Sequence, residues 1–109
     1  MPHRVETPFA LVLSGQVVRG RIDAVYTDGR LDDGTQRYLV VDWKTHRAHD
    51  ADALQLAVYR QAWAELAGVP VEAVRAGFFY VRSGELVEPP ELPGRAELEA
   101  ILDAATVRG

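Results

Sequence analysis

A chain of 109 residues, 48% of them hydrophobic, is long enough for one folded core and too short for two. With 12 basic against 16 acidic side chains its formal charge is -4, so no global field draws it to a polyanion; nucleic-acid binding then requires a local basic patch, a metal ion or another domain. The lack of cysteine excludes disulfides, thiolate zinc sites and iron-sulfur clusters. No apolar run approaches the roughly 20 residues of a membrane span, and Met1-Pro2-His3-Arg4-Val5-Glu6 has no signal-peptide core, so a soluble, cytoplasmic chain with no membrane partner is expected.

Val5 to Leu13 and Gln16 to Tyr26 are rich in strand formers and flank Ser14-Gly15, the pattern of a β-hairpin. Gly20 interrupts the second run, where a missing side chain marks a bulge or a close backbone approach. Asp23, in Gly20-Arg21-Ile22-Asp23-Ala24-Val25, is a carboxylate in an otherwise apolar run. It reads either as an edge-strand acid facing water or as a functional group. Thr27 to Gln36 carries Asp28-Gly29 and Asp33-Gly34, two turn signals, and is expected to be the loop of a second hairpin. A loop centred near Leu31 to Asp33 sets Asp23 roughly opposite Asp42 on the next strand. Carboxylates facing across an antiparallel pair, with Cβ atoms about 4.5–5.5 Å apart, repel unless a cation lies between them.

That next strand, Arg37-Tyr38-Leu39-Val40-Val41-Asp42-Trp43-Lys44-Thr45, runs from apolar residues straight into a carboxylate and an ammonium. Alternation projects Asp42 and Lys44 from one face and Val41 and Trp43 from the other. Charges at the end of an apolar strand must be paired or must bind something, because desolvating a lone charge is costly. A plain ion pair is the simplest arrangement, but Lys44 can offset only one of two acids.

His46-Arg47-Ala48-His49 follows as a polar connection; its H-x-x-H spacing has no third ligand type nearby and reads as ordinary loop histidines. Asp50 or Asp52 caps a helix over Leu54 to Ala67, which Gly68 and Pro70 end. At about 100° per residue, Gln55, Tyr59, Ala62 and Leu66 form a stripe bordered by Leu56, Val58 and Trp63, expected to face inward. Tyr59 is then either core or part of a site beside the strand end. Val74 to Arg82 reads as a further strand, with Phe78 and Tyr80 on one face and Phe79 and Val81 on the other. Ser83-Gly84 turns it into a short edge strand, Glu85 to Glu88, ended by Pro89-Pro90. Leu98, Ile101, Leu102 and Ala105 mark a last amphipathic helix over Arg95 to Val107. The sequence has no internal repeat, no Gly-rich phosphate loop and no G-x-S-x-G elbow.

The ordered set Gly20-Arg21-Ile22-Asp23, Val40-Val41-Asp42-Trp43-Lys44-Thr45 and Gln55 to Tyr59 resembles the PD-(D/E)xK nuclease superfamily. More narrowly it is similar to the RecB/AddA-like nuclease domain attached to UvrD/Rep-type DNA helicases, in which a G-x-I-D segment precedes a D-x-K strand and a Q-x-x-x-Y helix follows. The resemblance spans Phe9 to Arg82. It implies an α/β fold of the mixed α+β kind, a restriction-endonuclease-like core with a central mixed sheet flanked by helices. It further implies that Asp23, Asp42 and the backbone carbonyl of Trp43 hold Mg2+ or Mn2+, and that Lys44 orients the attacking water or stabilises charge on the phosphate. Gln55 and Tyr59 would position the DNA backbone or the surroundings of Lys44. The function so implied is metal-dependent, exonuclease-type cleavage of DNA, by the nuclease part of a helicase-nuclease acting in double-strand break repair. Its helicase would lie in the same or a partner chain. The alternative is a catalytically silent module of the same fold that contacts DNA or a protein.

Members of that family carry a helix before the first strand that adds an acidic or histidine residue to the site, and too little chain precedes Val5 to make one. Glu6, expected to lie far along the hairpin, is a poor substitute. Residues 1–109 are therefore expected to be one nuclease domain that is a fragment of a longer polypeptide or self-associates, and a weak nuclease alone. Apolar side chains from Phe9 to Val25 that point away from the Leu54 to Leu66 helix are expected to meet water.

Overall fold

A computed structural model describes residues 2–45 and 52–108, the last three by backbone alone. Strands β1 (Arg4–Leu13) and β2 (Gln16–Arg30) are joined by Ser14 and Gly15, whose φ angles of 49° and 74° are those of a type I′ hairpin turn. The ladder pairs Leu13 with Gln16 and Phe9 with Gly20. Alternation along β1 buries Phe9, Leu11 and Leu13 and exposes the residues between them.

The second hairpin is tighter than the turn signals suggest. Strand β2 continues through Thr27 to Arg30, and β3 (Gln36–Lys44) begins directly after a turn over residues 31–35. Asp28-Gly29 marks a register shift between Thr27 and Arg30, with Gly29 at φ 74°, not a loop. Asp28 is held in the sheet by Arg75 Nη1 at 2.9 Å and Arg37 Nη2 at 3.3 Å, so a polar residue that reads as loop is strand.

Among the described residues five strands lie in the order β1-β2-β3-β4-β5, with β4 spanning Val74–Tyr80 and β5 Glu85–Val87. Only β3 and β4 are parallel, which demands a crossover, and α1 (Ala53–Ala67) supplies it. A single 3-10 turn, Val71–Ala73, leads from α1 into β4. Strand β4 stops two residues short of Arg82, because the N–H of Gly84 bonds the carbonyl of Tyr80 at 2.8 Å and closes the turn there. The last element is α2 (Arg95–Arg108), which seats Leu98 in the core and is tied to the hairpin by the Ser14 N–H donating to Glu99 Oε2 at 2.6 Å. The architecture is the mixed sheet with two helices that the sequence led one to expect.

Asp52 is the N-cap of α1, its carboxylate accepting from the amides of Leu54 at 3.0 Å and Gln55 at 3.2 Å. Gly68 ends the helix at φ 70°, the left-handed conformation of a C-terminal cap. The expected stripe of α1 holds in part: Ala62 and its neighbours Leu56 and Trp63 are buried, together with Ala57, Gln61 and Ala64, whereas Gln55 and Leu66 are exposed and Tyr59 is half-buried. Apolar residues surround this helix, so periodicity set its rotation only in part and packing chose the rest. Leu13, Ile22, Val25, Val40 and Leu56 are fully buried between sheet and helices, each contributing about 1.5–3 kcal/mol of transfer free energy.

The opposite face of the sheet is open, and Val12 and Val17 of the first hairpin meet water there as expected. Phe9, Leu11, Leu13, Ile22 and Val25 all join the core, and the uncovered apolar hollow is formed by Tyr26, Leu39, Val41, Trp43, Phe79 and Leu86 across β2 to β5. The apolar surface thus runs from Val12 and Val17 of the hairpin to the hollow on the central strands. Among the described residues no helix is long and apolar enough to cross a membrane.

Candidate active site

Strand β2 changes phase at its middle. Ile22 and Val25 differ in parity yet both enter the same core, so alternation breaks between them, where Asp23 lies. The β1–β2 ladder pairs Val5 with Ala24 and Thr7 with Ile22 and skips the intervening step, Glu6 against Asp23. Glu6 there has φ 45°, an uncommon left-handed conformation for a residue with a side chain. On the other side, the β2–β3 ladder ends at the pair Ala24–Val41. Asp23 and Asp42 occupy the next step, and in place of a ladder bond the Asp23 carboxylate accepts the Trp43 N–H at 2.8 Å.

Asp42 projects from β3 on the helix side and is only 7% exposed. Burial, followed by hydrogen-bond contact with Asp23, pushes its carboxyl up to about 6, against the opposing pull of Lys44. Lys44 Nζ stands 3.3 Å from Asp42 Oδ2, close enough for an ion pair. That oxygen nevertheless has no partner of hydrogen-bond geometry and is buried. The Lys44 ammonium lies 5.5 Å from the centre of the Phe78 ring, and the Lys44 carbonyl accepts the Val81 N–H at 3.0 Å, which pins the strand end.

A buried carboxylate oxygen, offset by one ion pair and set beside a second carboxylate, is the kind of donor that suits a hard cation. Mg2+ is commonly bound by one or two carboxylates, with water and substrate phosphate completing its shell, so Asp23 and Asp42 fit it, with the Trp43 carbonyl adjacent in the chain. Among the described residues no third His, Cys, Asp or Glu joins them. Glu6 lies much nearer in register than the hairpin reading placed it, one strand over from Asp23. Its exposed carboxylate faces Arg21 Nη1 at 3.7 Å instead. His46, His49 and Asp50 lie outside the described residues.

Tyr59 and Gln55 border this centre from α1. The Tyr59 phenol is pushed above its usual pKa, first by burial and then by the negative charge of Asp42, Asp23 and Asp52, while a hydrogen bond with Gln55 works the other way. Its ring meets Phe9 edge-on, centroids 5.5 Å apart. A Cβ at Gly20 would fall 2.8 Å from two carbons of the Phe9 ring, so the glycine is required by the close approach of that ring. Sequence reasoning did not single out Phe9 beneath Tyr59 or Phe78 beneath Lys44; both reach the site through register alone.

A mixed sheet whose central strand ends in an acid and a lysine, faced by an acid of the preceding hairpin and followed by a crossover helix, defines the restriction-endonuclease-like class. The chain belongs to the PD-(D/E)XK nuclease superfamily, whose family model matches residues 1–107. Among solved structures it is similar to the protein in "Crystal structure of SSO0001", with 20% sequence identity and a TM-score of 0.50. That likeness covers 96% of this chain and 49% of the other, about half its length, and supports the fold. No curated protein matches the chain.

Proposed function

We propose that the protein is a metal-dependent DNA nuclease, with Asp23, Asp42 and Lys44 as catalytic residues and Gln55 and Tyr59 positioning the strand. The observation that supports this reading is the meeting of two carboxylates, buried Asp42 and Asp23 of the neighbouring strand, with a single lysine, Lys44, 3.3 Å from Asp42 Oδ2. Bound Mg2+ or Mn2+ would supply Lewis-acid polarisation of the phosphate and a more acidic water. Asp42 and Asp23 would hold the cation through their carboxylate oxygens. Lys44, beside Asp42, would donate to a phosphate oxygen as negative charge builds there. Tyr59 and Gln55 bracket the approach from α1 and fix the backbone against the acids.

The ordered G-x-I-D, D-x-K and Q-x-x-x-Y segments favour the nuclease part of a helicase-nuclease that trims DNA ends during break repair, with an exonuclease mode of attack. A second reading, a silent DNA- or protein-binding module, is favoured by the count of acids, since only two meet among the described residues. One assay separates them: end-labelled linear DNA incubated with the protein and Mg2+ is degraded, and chelation by EDTA or Asp42→Asn stops it. No degradation by the parent at any Mg2+ or Mn2+ concentration sinks the nuclease reading.

A further inference from the structure

Strand β4 ends beside the acid pair and brings a tyrosine to it. The parallel ladder sets Phe78 against Asp42 and Tyr80 against Lys44. Such register partners project from one face of the sheet, on strands about 4.8 Å apart, so Tyr80 stands directly beside Lys44. Phe78, one position of the same parity earlier, is buried and lies under the Lys44 ammonium, whereas Tyr80 is half-buried against the core. The backbone there is held twice: the Tyr80 carbonyl accepts the Gly84 N–H at 2.8 Å, and the next residue, Val81, donates to the Lys44 carbonyl at 3.0 Å. The Tyr80 hydroxyl makes no hydrogen bond among the described residues. Beyond it the surface turns acidic, since its partner on β5 is Glu85, an exposed carboxylate.

We infer that Tyr80 is a further substrate-binding residue of this site: its hydroxyl donates to the phosphate of the nucleotide next to the cut, on the β4 side, and Glu85 ends the path there by repelling the phosphate that follows. The inference rests on the reading of the acid pair as a phosphodiester site. A strand whose reacting phosphate lies at Lys44 must leave over a neighbouring element, and on this flank the first side chain it meets is Tyr80. A phenol suits that position, because its O–H donates to a phosphate oxygen and its ring offers a flat apolar surface to the sugar. Contact with phosphate and sugar positions the strand without reading its sequence. In a chain of charge -4 no broad positive field does this work, so a single well-held donor has a measurable effect, and so does a single carboxylate of the opposite tendency.

The test is binding of a fluorescein-labelled single-stranded oligodeoxynucleotide in Ca2+, read by anisotropy, beside cleavage of the same strand in Mg2+. Tyr80→Phe keeps the ring and its packing, so it is expected to unfold at the urea concentration of the parent. It should bind about tenfold more weakly, and raise KM by the same factor with kcat unchanged, the signature of a contact made equally before and during reaction. Glu85→Gln should bind about threefold more tightly at low salt, a gain that disappears at high salt. A parent that does not bind the strand, a Tyr80→Phe that binds as the parent does, or a Glu85→Gln that binds no more tightly overturns the inference. Cleavage keeps the two readings apart. Binding weakened by Tyr80→Phe in a protein that never cleaves upholds Tyr80 and sinks the nuclease reading; cleavage by a parent that Tyr80→Phe equals in binding and KM does the reverse.

Discussion

Asp42 combines two properties that conflict in a structural residue and agree in a metal ligand: it is buried, and one of its oxygens lacks a hydrogen-bond donor. Its removal should therefore be well tolerated by the fold and fatal to the chemistry. Asp42→Ala is expected to abolish Mg2+-dependent cleavage while the metal-free variant unfolds at the same or a higher urea concentration than the parent. A variant much less stable than the parent would make Asp42 a structural acid. Its raised pKa carries a second expectation. Between about pH 4 and pH 6 the unfolded chain has released this proton and the folded chain has kept it, so the stability of the metal-free protein falls as pH rises through that window. Urea midpoints measured across the window should show this fall, and Asp42→Asn should lack it. Lys44 belongs to the other half of the site: Lys44→Ala is expected to keep Mg2+ binding by calorimetry and to lose turnover by about 10²-fold. Weaker metal binding with an unchanged rate would reduce Lys44 to charge balance.

At the scale of elements, the hairpin, the D-x-K strand and both helices were legible because local signals agree: alternation in the strands, Ser14-Gly15 at the first turn, and Asp52 and Gly68 at the ends of α1. The Asp52 cap is the device that starts the crossover helix beside the end of β3, so it positions Gln55 and Tyr59 as well as stabilising the helix. Asp52→Ala should lower stability by about 1 kcal/mol, seen as a shift in the urea midpoint without a change in slope. No shift would mean that the two capping bonds contribute nothing measurable. The rotation of α1 was legible only in part, with Ala62, Leu56 and Trp63 inward as expected, because Leu54 and Val58 leave no polar face wide enough to set its phase. The extension of β2 through Asp28 was hidden for a different reason. Its ion pairs are with Arg37 and Arg75, and the second of these comes from a strand 47 residues further on.

For the whole molecule, the proposed metal site would couple cation binding to folding, since only the folded chain brings Asp23 of one strand to Asp42 of the next. Mg2+ should raise the thermal midpoint of the parent, by the equivalent of about 2.7 kcal/mol at one hundred times its dissociation constant, and leave that of Asp42→Ala unmoved. A thermal midpoint insensitive to Mg2+ would show that the pair is not a metal site. The open sheet face, from Tyr26 to Leu86, lies directly behind the strand that carries Asp42 and Lys44, with Trp43 40% exposed upon it.

The sequence alone determined the kinds and order of the elements and the facing of Asp23 and Asp42, because these follow from alternation, turn chemistry and the count of residues between two acids. Four features needed the tertiary structure: the exposed position of Gln55 on α1, the placing of Glu6 across from Asp23, the burial of Asp42 Oδ2 without a donor, and the apolar hollow on the central strands. Each depends on register or on which flank of an element meets its neighbour. Such choices are made by packing between residues far apart in the chain, where local periodicity has no hold.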